Sequence, residues 1–138
     1  MTSFPALPPD ARVLGVGIDV VAVERFAASL VRTPALRERL FTAGEQVTST
    51  GAPRRAASLA ARFAVKEAVA KALGVPAGMD WHHCSVVSSG NGAPSLVTVD
   101  TVQAAAVAAG ITRWQISMSH DAGIAAAVVV ALGQGPGL

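Results

Sequence analysis

The chain has 138 residues, 51% hydrophobic and 14% charged, with a formal net charge of +2. One domain with a real core fits that length, and the small charge, without a Lys/Arg run and with 4% aromatic residues, argues against a nucleic-acid partner. So high an apolar load with so little polar cover points to apolar surface hidden between subunits.

The opening stretch, MTSFPALPPD, has neither the basic nor the apolar region of a signal peptide, and residues 1–11 read as a flexible arm. Arg12 to Ile18 is a short apolar run that reads as a strand ending at Asp19. Val20 to Arg32 has Val23, Phe26, Ala27 and Leu30 at helical spacing, and Pro34 ends that helix or opens the next. Thr42 and Glu45 fit a capping box at a helix start, and Gly51 to Pro53 breaks the chain beyond it.

Leu59 to Leu73, LAARFAVKEAVAKAL, is apolar on nearly every side of a helix, so it should be buried. Yet it carries Arg62, Lys66, Glu67 and Lys71, and buried charges must be paired or used. Gly74 closes this helix with a left-handed cap. Cys84 to Ser88 and Leu96 to Val99 flank a turn at residues 89–94 and read as a hairpin. Asp100 fits as N-cap of a helix over 101–109 that Gly110 stops. Trp114 to Met118 and Ile124 to Ala131 read as two strands around a turn over 119–123, and residues 133–138 as a frayed tail. The run Ile124 to Leu132 is about half of the ~20 residues a membrane span requires. Cys84 is the only cysteine, with no disulfide partner and no metal-ligand spacing, which suits a reducing, cytoplasmic setting. Helices and antiparallel hairpins mix without strict βαβ alternation, so the expected class is α+β, with residues 12–132 as one domain.

Several residues have two readings. Asp19 is either the N-cap of the following helix or a carboxylate held at a strand's edge for use. Glu67 is either an i, i+4 ion-pair partner of Lys71 or part of a hard oxygen site. Two carboxylates suit magnesium, which fills its shell with water and substrate phosphates, and Lys71 would hold phosphate charge. His120 and Asp121 are either turn residues or functional ones. His82 and His83 lack a third ligand and read as structural or surface residues. Gly15 and Gly17 make a G-x-G without the third glycine of a dinucleotide fingerprint.

The ordered set GVGIDVVAVERF (15–26), LFTAGE (40–45), ARFAVKEAVAKALG (61–74), GNGAP (90–94) and ISMSHDAGIAAAVV (116–129) closely resembles the small, stand-alone 4′-phosphopantetheinyl transferases, the holo-[acyl-carrier-protein] synthase family. The resemblance covers residues 12–132. It implies an α+β fold with an antiparallel sheet around the long helix, in homotrimers with active sites between subunits. It also implies transfer of the 4′-phosphopantetheine arm of coenzyme A to a serine of apo acyl carrier protein, with magnesium, releasing adenosine 3′,5′-bisphosphate in fatty acid biosynthesis. Residue by residue, the resemblance makes Asp19 and Glu67 magnesium ligands and Lys71 the pyrophosphate contact. Arg62 and Lys66 become phosphate contacts, Gly92 and Pro94 the turn beside the adenine, and Ser119 and His120 coenzyme A contacts. The acceptor serine's proton goes to Glu67 through a metal-bound water, or to His120 or Asp121, and Arg25 meets the acidic carrier protein. Ala93 departs from the family, which commonly has a basic residue there. Carrier domains of polyketide or peptide synthases are the alternative acceptors, and a trimeric coenzyme A-binding module without turnover is the non-enzymatic alternative.

Overall fold

The structure is a computed structural model that describes residues 7, 10–88 and 92–134. Chain order is β1 (Ala11–Ala22), α1 (Val23–Arg32), α2 (Ala35–Leu40), a 3₁₀ turn (Ala43–Gln46), α3 (Ala56–Ala72), a second 3₁₀ turn (Trp81–His83), β2 (Cys84–Ser88), β3 (Pro94–Thr98), α4 (Asp100–Ala108), β4 (Arg113–Asp121) and β5 (Ile124–Gln134). The sheets are antiparallel, one of order β1-β5-β4 and one a β2-β3 hairpin. The class is α+β, with α3 packed on both sheets. Among the described residues no helix is long and apolar enough to cross a membrane.

α3 is central because small side chains let the sheet come close. From Leu59 to Ala70 every residue of α3 is buried except Phe63 and Glu67. Gly15 and Gly17 of β1 lie against its backbone: an added Cβ would stand 2.4 Å from the Ala72 carbonyl oxygen and 1.8 Å from that of Ala68. The G-x-G is therefore a packing device, not a nucleotide loop. Strand alternation then sends Asp19 to the face that meets α3.

β1 continues four residues past the expected strand, because Asp19 to Ala22 pair with Ala127 to Ile124 of β5. Ladder pairing overrides the helical spacing there, so α1 starts at Val23 rather than Val20 and Asp19 sits inside a strand, not at a cap. β4 likewise runs to Asp121, leaving a two-residue turn in which Ala122 and Gly123 have φ of 50° and 79°. Positive φ at both positions matches the twist of a tight hairpin. β5 reaches Gln134, which pairs with Ala11, so Gly133 and Gln134 belong to the sheet rather than to a frayed tail. Residues 135–138, most of the expected arm, and Ser89 to Asn91 of the hairpin turn lie outside the described residues.

The capping box at Thr42 and Glu45 is present on the 3₁₀ turn. The expected cap at Asp100 is not: Asp100 opens α4 with φ of 44°, and the Thr101 amide donates instead to His83 Nδ1. His82 meets the Glu38 carbonyl, so both histidines serve the local structure.

Candidate active site

Of the four charges on α3, Arg62 and Lys66 are buried, Glu67 faces a cavity and Lys71 is half-exposed. Lys66 is fully buried, and its three donor positions are spent on Glu45 Oε1 (2.8 Å), Trp81 O (2.8 Å) and Cys84 O (2.6 Å). An ammonium with all its hydrogens committed and no exposed surface is not a phosphate contact, which corrects that expectation. Glu45, read from sequence only as a capping residue, also accepts from the Thr42 and Val86 amides. The pair ties the 42–46 turn, α3 and β2 together. The charge left over on an apolar helix was its only sequence signal.

Of the two readings of Glu67, the i, i+4 pair with Lys71 is not formed. Lys71 Nζ lies 3.0 Å from Asp19 Oδ1 and 2.9 Å from the Ile18 carbonyl. Asp19 and Glu67 face one cavity of about 340 Å³, lined also by Arg25, Phe26, Ser29 and Phe63. Phe63 stacks on Phe26 with ring centroids 5.2 Å apart, giving that cavity a rigid apolar wall. Burial and the Asp19 carboxylate push the Glu67 carboxyl above its usual range, and Lys71 only partly offsets them. A carboxylate whose charged form is disfavoured by burial and by a second carboxylate beside it is suited to share a divalent cation with that neighbour. Among the described residues no group of three or more His, Cys, Asp or Glu side chains is placed to hold a metal, so water and substrate would complete such a shell.

The other expected residues collect elsewhere. Arg62, Ser58, Ala61, Ser117, Met118, Ser119 and His120 line a second cavity of about 450 Å³, which shares no lining residue with the first. Arg62 donates to Ser58 and to Ser88, and Ser88 pairs with Pro94 at the mouth of the β2-β3 hairpin. Its buried Nε has no partner among the described residues. Burial, and secondarily the Arg54 guanidinium, lower its pKa to about 10. A buried cation with a spare donor is suited to an anion. Gly92 has φ of 83° with open space beside it, so the backbone there is approachable. Asp121 is exposed at the end of β4 and lines neither cavity.

The two cavities differ in charge: one is lined by Asp19 and Glu67, with Lys71 paired to Asp19, and the other by Arg62. The sequence profile of the 4′-phosphopantetheinyl transferase superfamily matches residues 15–129, and the chain belongs to that family. It is 59% identical over 119 residues to holo-[acyl-carrier-protein] synthase of Salinispora arenicola, covering 86% of this chain and 98% of the relative. The Streptomyces coelicolor protein of the same name is 54% identical, with 88% and 98% covered. The crystal structure of Helicobacter pylori holo-[acyl-carrier-protein] synthase in complex with coenzyme A superposes with a TM-score of 0.73 at 31% identity, covering 84% of this chain and 98% of that one.

Proposed function

We propose that the chain transfers the 4′-phosphopantetheine group of coenzyme A to a serine of apo acyl carrier protein. The observation that carries this reading is the meeting of Asp19 from β1 and Glu67 from α3 in one cavity, with Lys71 bound at its edge. Asp19 and Glu67 would hold a magnesium ion, which supplies charge neutralisation at the pyrophosphate when bound. Lys71 stabilises the charge that grows on the bridging oxygen as the serine attacks the β-phosphorus and adenosine 3′,5′-bisphosphate leaves. Arg62, which lines one cavity with Ser119 and His120, suits a phosphate of the same substrate, and the turn at Gly92 and Pro94 suits its adenine.

A homotrimer with the active site between subunits reconciles the two cavities. Within one chain Glu67 and His120 line separate cavities, whereas a second copy can bring its His120 to the first copy's carboxylates. The surface for such contact is the side of β1 turned away from α3, where Val16, Ile18 and Val20 are 58%, 60% and 60% exposed. Three large apolar side chains in a row on an edge strand mark an interface. Glu67 through a water, or His120 or Asp121 of the neighbouring copy, takes the serine proton. Arg25, exposed at the rim of the acidic cavity, meets the acidic carrier protein. The buried Cys84 thiol has no partner cysteine, which suits the cytoplasm, where coenzyme A and carrier protein are supplied.

Incubation with apo carrier protein, coenzyme A and magnesium tests the reading by mass spectrometry. The expected product is carrier protein heavier by one phosphopantetheinyl group. No gain on any carrier protein refutes the enzyme, and gain only on synthase carrier domains refutes the acceptor.

A further inference from the structure

Resting on the reading of Asp19 and Glu67 as divalent-cation ligands, we infer that Lys71 is a resident counter-ion that occupies Asp19 until a phosphate ligand draws it away. The helix spacing makes Glu67 the default partner of Lys71. Instead the ammonium sits between Asp19 Oδ1 and the Ile18 carbonyl, two acceptors presented by neighbouring residues of β1. Glu67 has no hydrogen bond or ion pair among the described residues and stands open to the cavity. The two carboxylates are thus unequal before any ligand arrives: one is engaged and the other is free.

The exposures show which partner moves. The Asp19 side chain is 16% exposed on a residue held by the β1-β5 ladder, while that of Lys71 is 49% exposed on a flexible four-carbon stem. Nζ can leave without any change in α3 or β1. A divalent cation seated between Asp19 and Glu67 would share Asp19 with an ammonium at contact distance, and like charges at one carboxylate repel. A pyrophosphate is a stronger anionic partner for a compact point charge than one carboxylate and a carbonyl. Ligand phosphate therefore takes the ammonium off Asp19, and the freed carboxylate takes the cation.

This arrangement couples the two ligands. Cation binding is held weak in the ligand-free protein and is strengthened by the phosphate ligand, and by linkage the cation strengthens phosphate binding by the same factor. Lys71 is thereby a positioning residue as well as a phosphate contact.

The test uses Mn²⁺, followed by electron paramagnetic resonance on the full chain without and with saturating coenzyme A. Lys71→Met is expected to bind Mn²⁺ about two- to fivefold more tightly than wild type without coenzyme A, the scale of a half-exposed ion pair. The gain in Mn²⁺ affinity on adding coenzyme A should shrink by at least that factor. Arg25→Gln removes a positive charge from the same cavity but leaves the Asp19 pair intact, so its ligand-free Mn²⁺ affinity should move less. Unchanged or weaker Mn²⁺ binding by Lys71→Met overturns the inference, as does an equal gain in Arg25→Gln. Mn²⁺ binding that Glu67→Gln does not weaken, in either background, refutes the metal site itself and this role with it.

Discussion

Lys66→Met removes the cation that holds the middle of the fold together. The side chains of Lys66 and Glu45 are 0% and 1% exposed, 2.8 Å apart, in a region where water cannot replace the lost partner. Methionine matches the stem in volume but leaves Glu45 charged and unpaired, and leaves the Trp81 and Cys84 carbonyls without their donor. Breaking a buried pair from one side costs about 3–5 kcal/mol, and the Thr42 and Val86 amides that still donate to Glu45 favour the lower part of that range. Against a total stability of about 5–15 kcal/mol, such a loss brings a small domain close to its threshold. Urea denaturation followed by circular dichroism, at one fixed protomer concentration, measures it. Adding Glu45→Gln to Lys66→Met should recover about 1 kcal/mol, because the buried charge is removed, although the single amide oxygen keeps only one of the backbone donors that Oε1 and Oε2 accept from Thr42 and Val86. A single-mutant loss below about 1 kcal/mol, or a double mutant no more stable than Lys66→Met, would refute the strut.

Gly17→Ala puts a methyl group 1.8 Å from the Ala68 carbonyl oxygen, against main chain that cannot step aside. Calorimetry should show a loss of at least about 3 kcal/mol or no cooperative unfolding, the upper end of overpacking costs. Glu67→Gln is expected to abolish magnesium-dependent transfer with the circular dichroism spectrum unchanged, since Glu67 spans no buried contact; full activity would remove it from the metal site. Arg25→Ala should raise KM for carrier protein about fivefold, the upper scale of an exposed ion pair, at constant coenzyme A affinity. Equal loss for both substrates would place Arg25 in the coenzyme A site instead. Ile18→Asp introduces charge into the exposed apolar row of β1; analytical ultracentrifugation should find monomer for this variant and the proposed trimer for wild type. An unchanged trimer would put the interface on another face.

Much of the architecture was legible in the sequence because it rests on short-range patterns. The all-round apolar character of 59–73 announced a buried central helix, Gly74 its end, and the 84–88 strand its hairpin partner. The strand ends at Ala22 and Asp121 were not legible, since only pairing with β5 extends them past their own local preferences. The charges on α3 show the same division. Their types, in an apolar helix, were enough to predict that each must be paired or used. Which fate each met depends on residues far away in the chain.

Glu45 arrives at Lys66 through the 42–46 turn, and Asp19 arrives at Lys71 because Gly15 and Gly17 let β1 lie on the helix backbone. Sequence alone determined an α+β chain with a buried, charge-bearing helix, and it pointed to Asp19, Glu67 and Lys71 as candidates for phosphate chemistry. Tertiary structure alone decided that Lys66 is a strut, that Lys71 belongs to Asp19 and not Glu67, and that Glu67 and His120 face different cavities. The physical reason is that helical spacing offers each charge only its neighbours one turn away. A packed interior selects the partner that satisfies the most hydrogen bonds, wherever in the chain it lies.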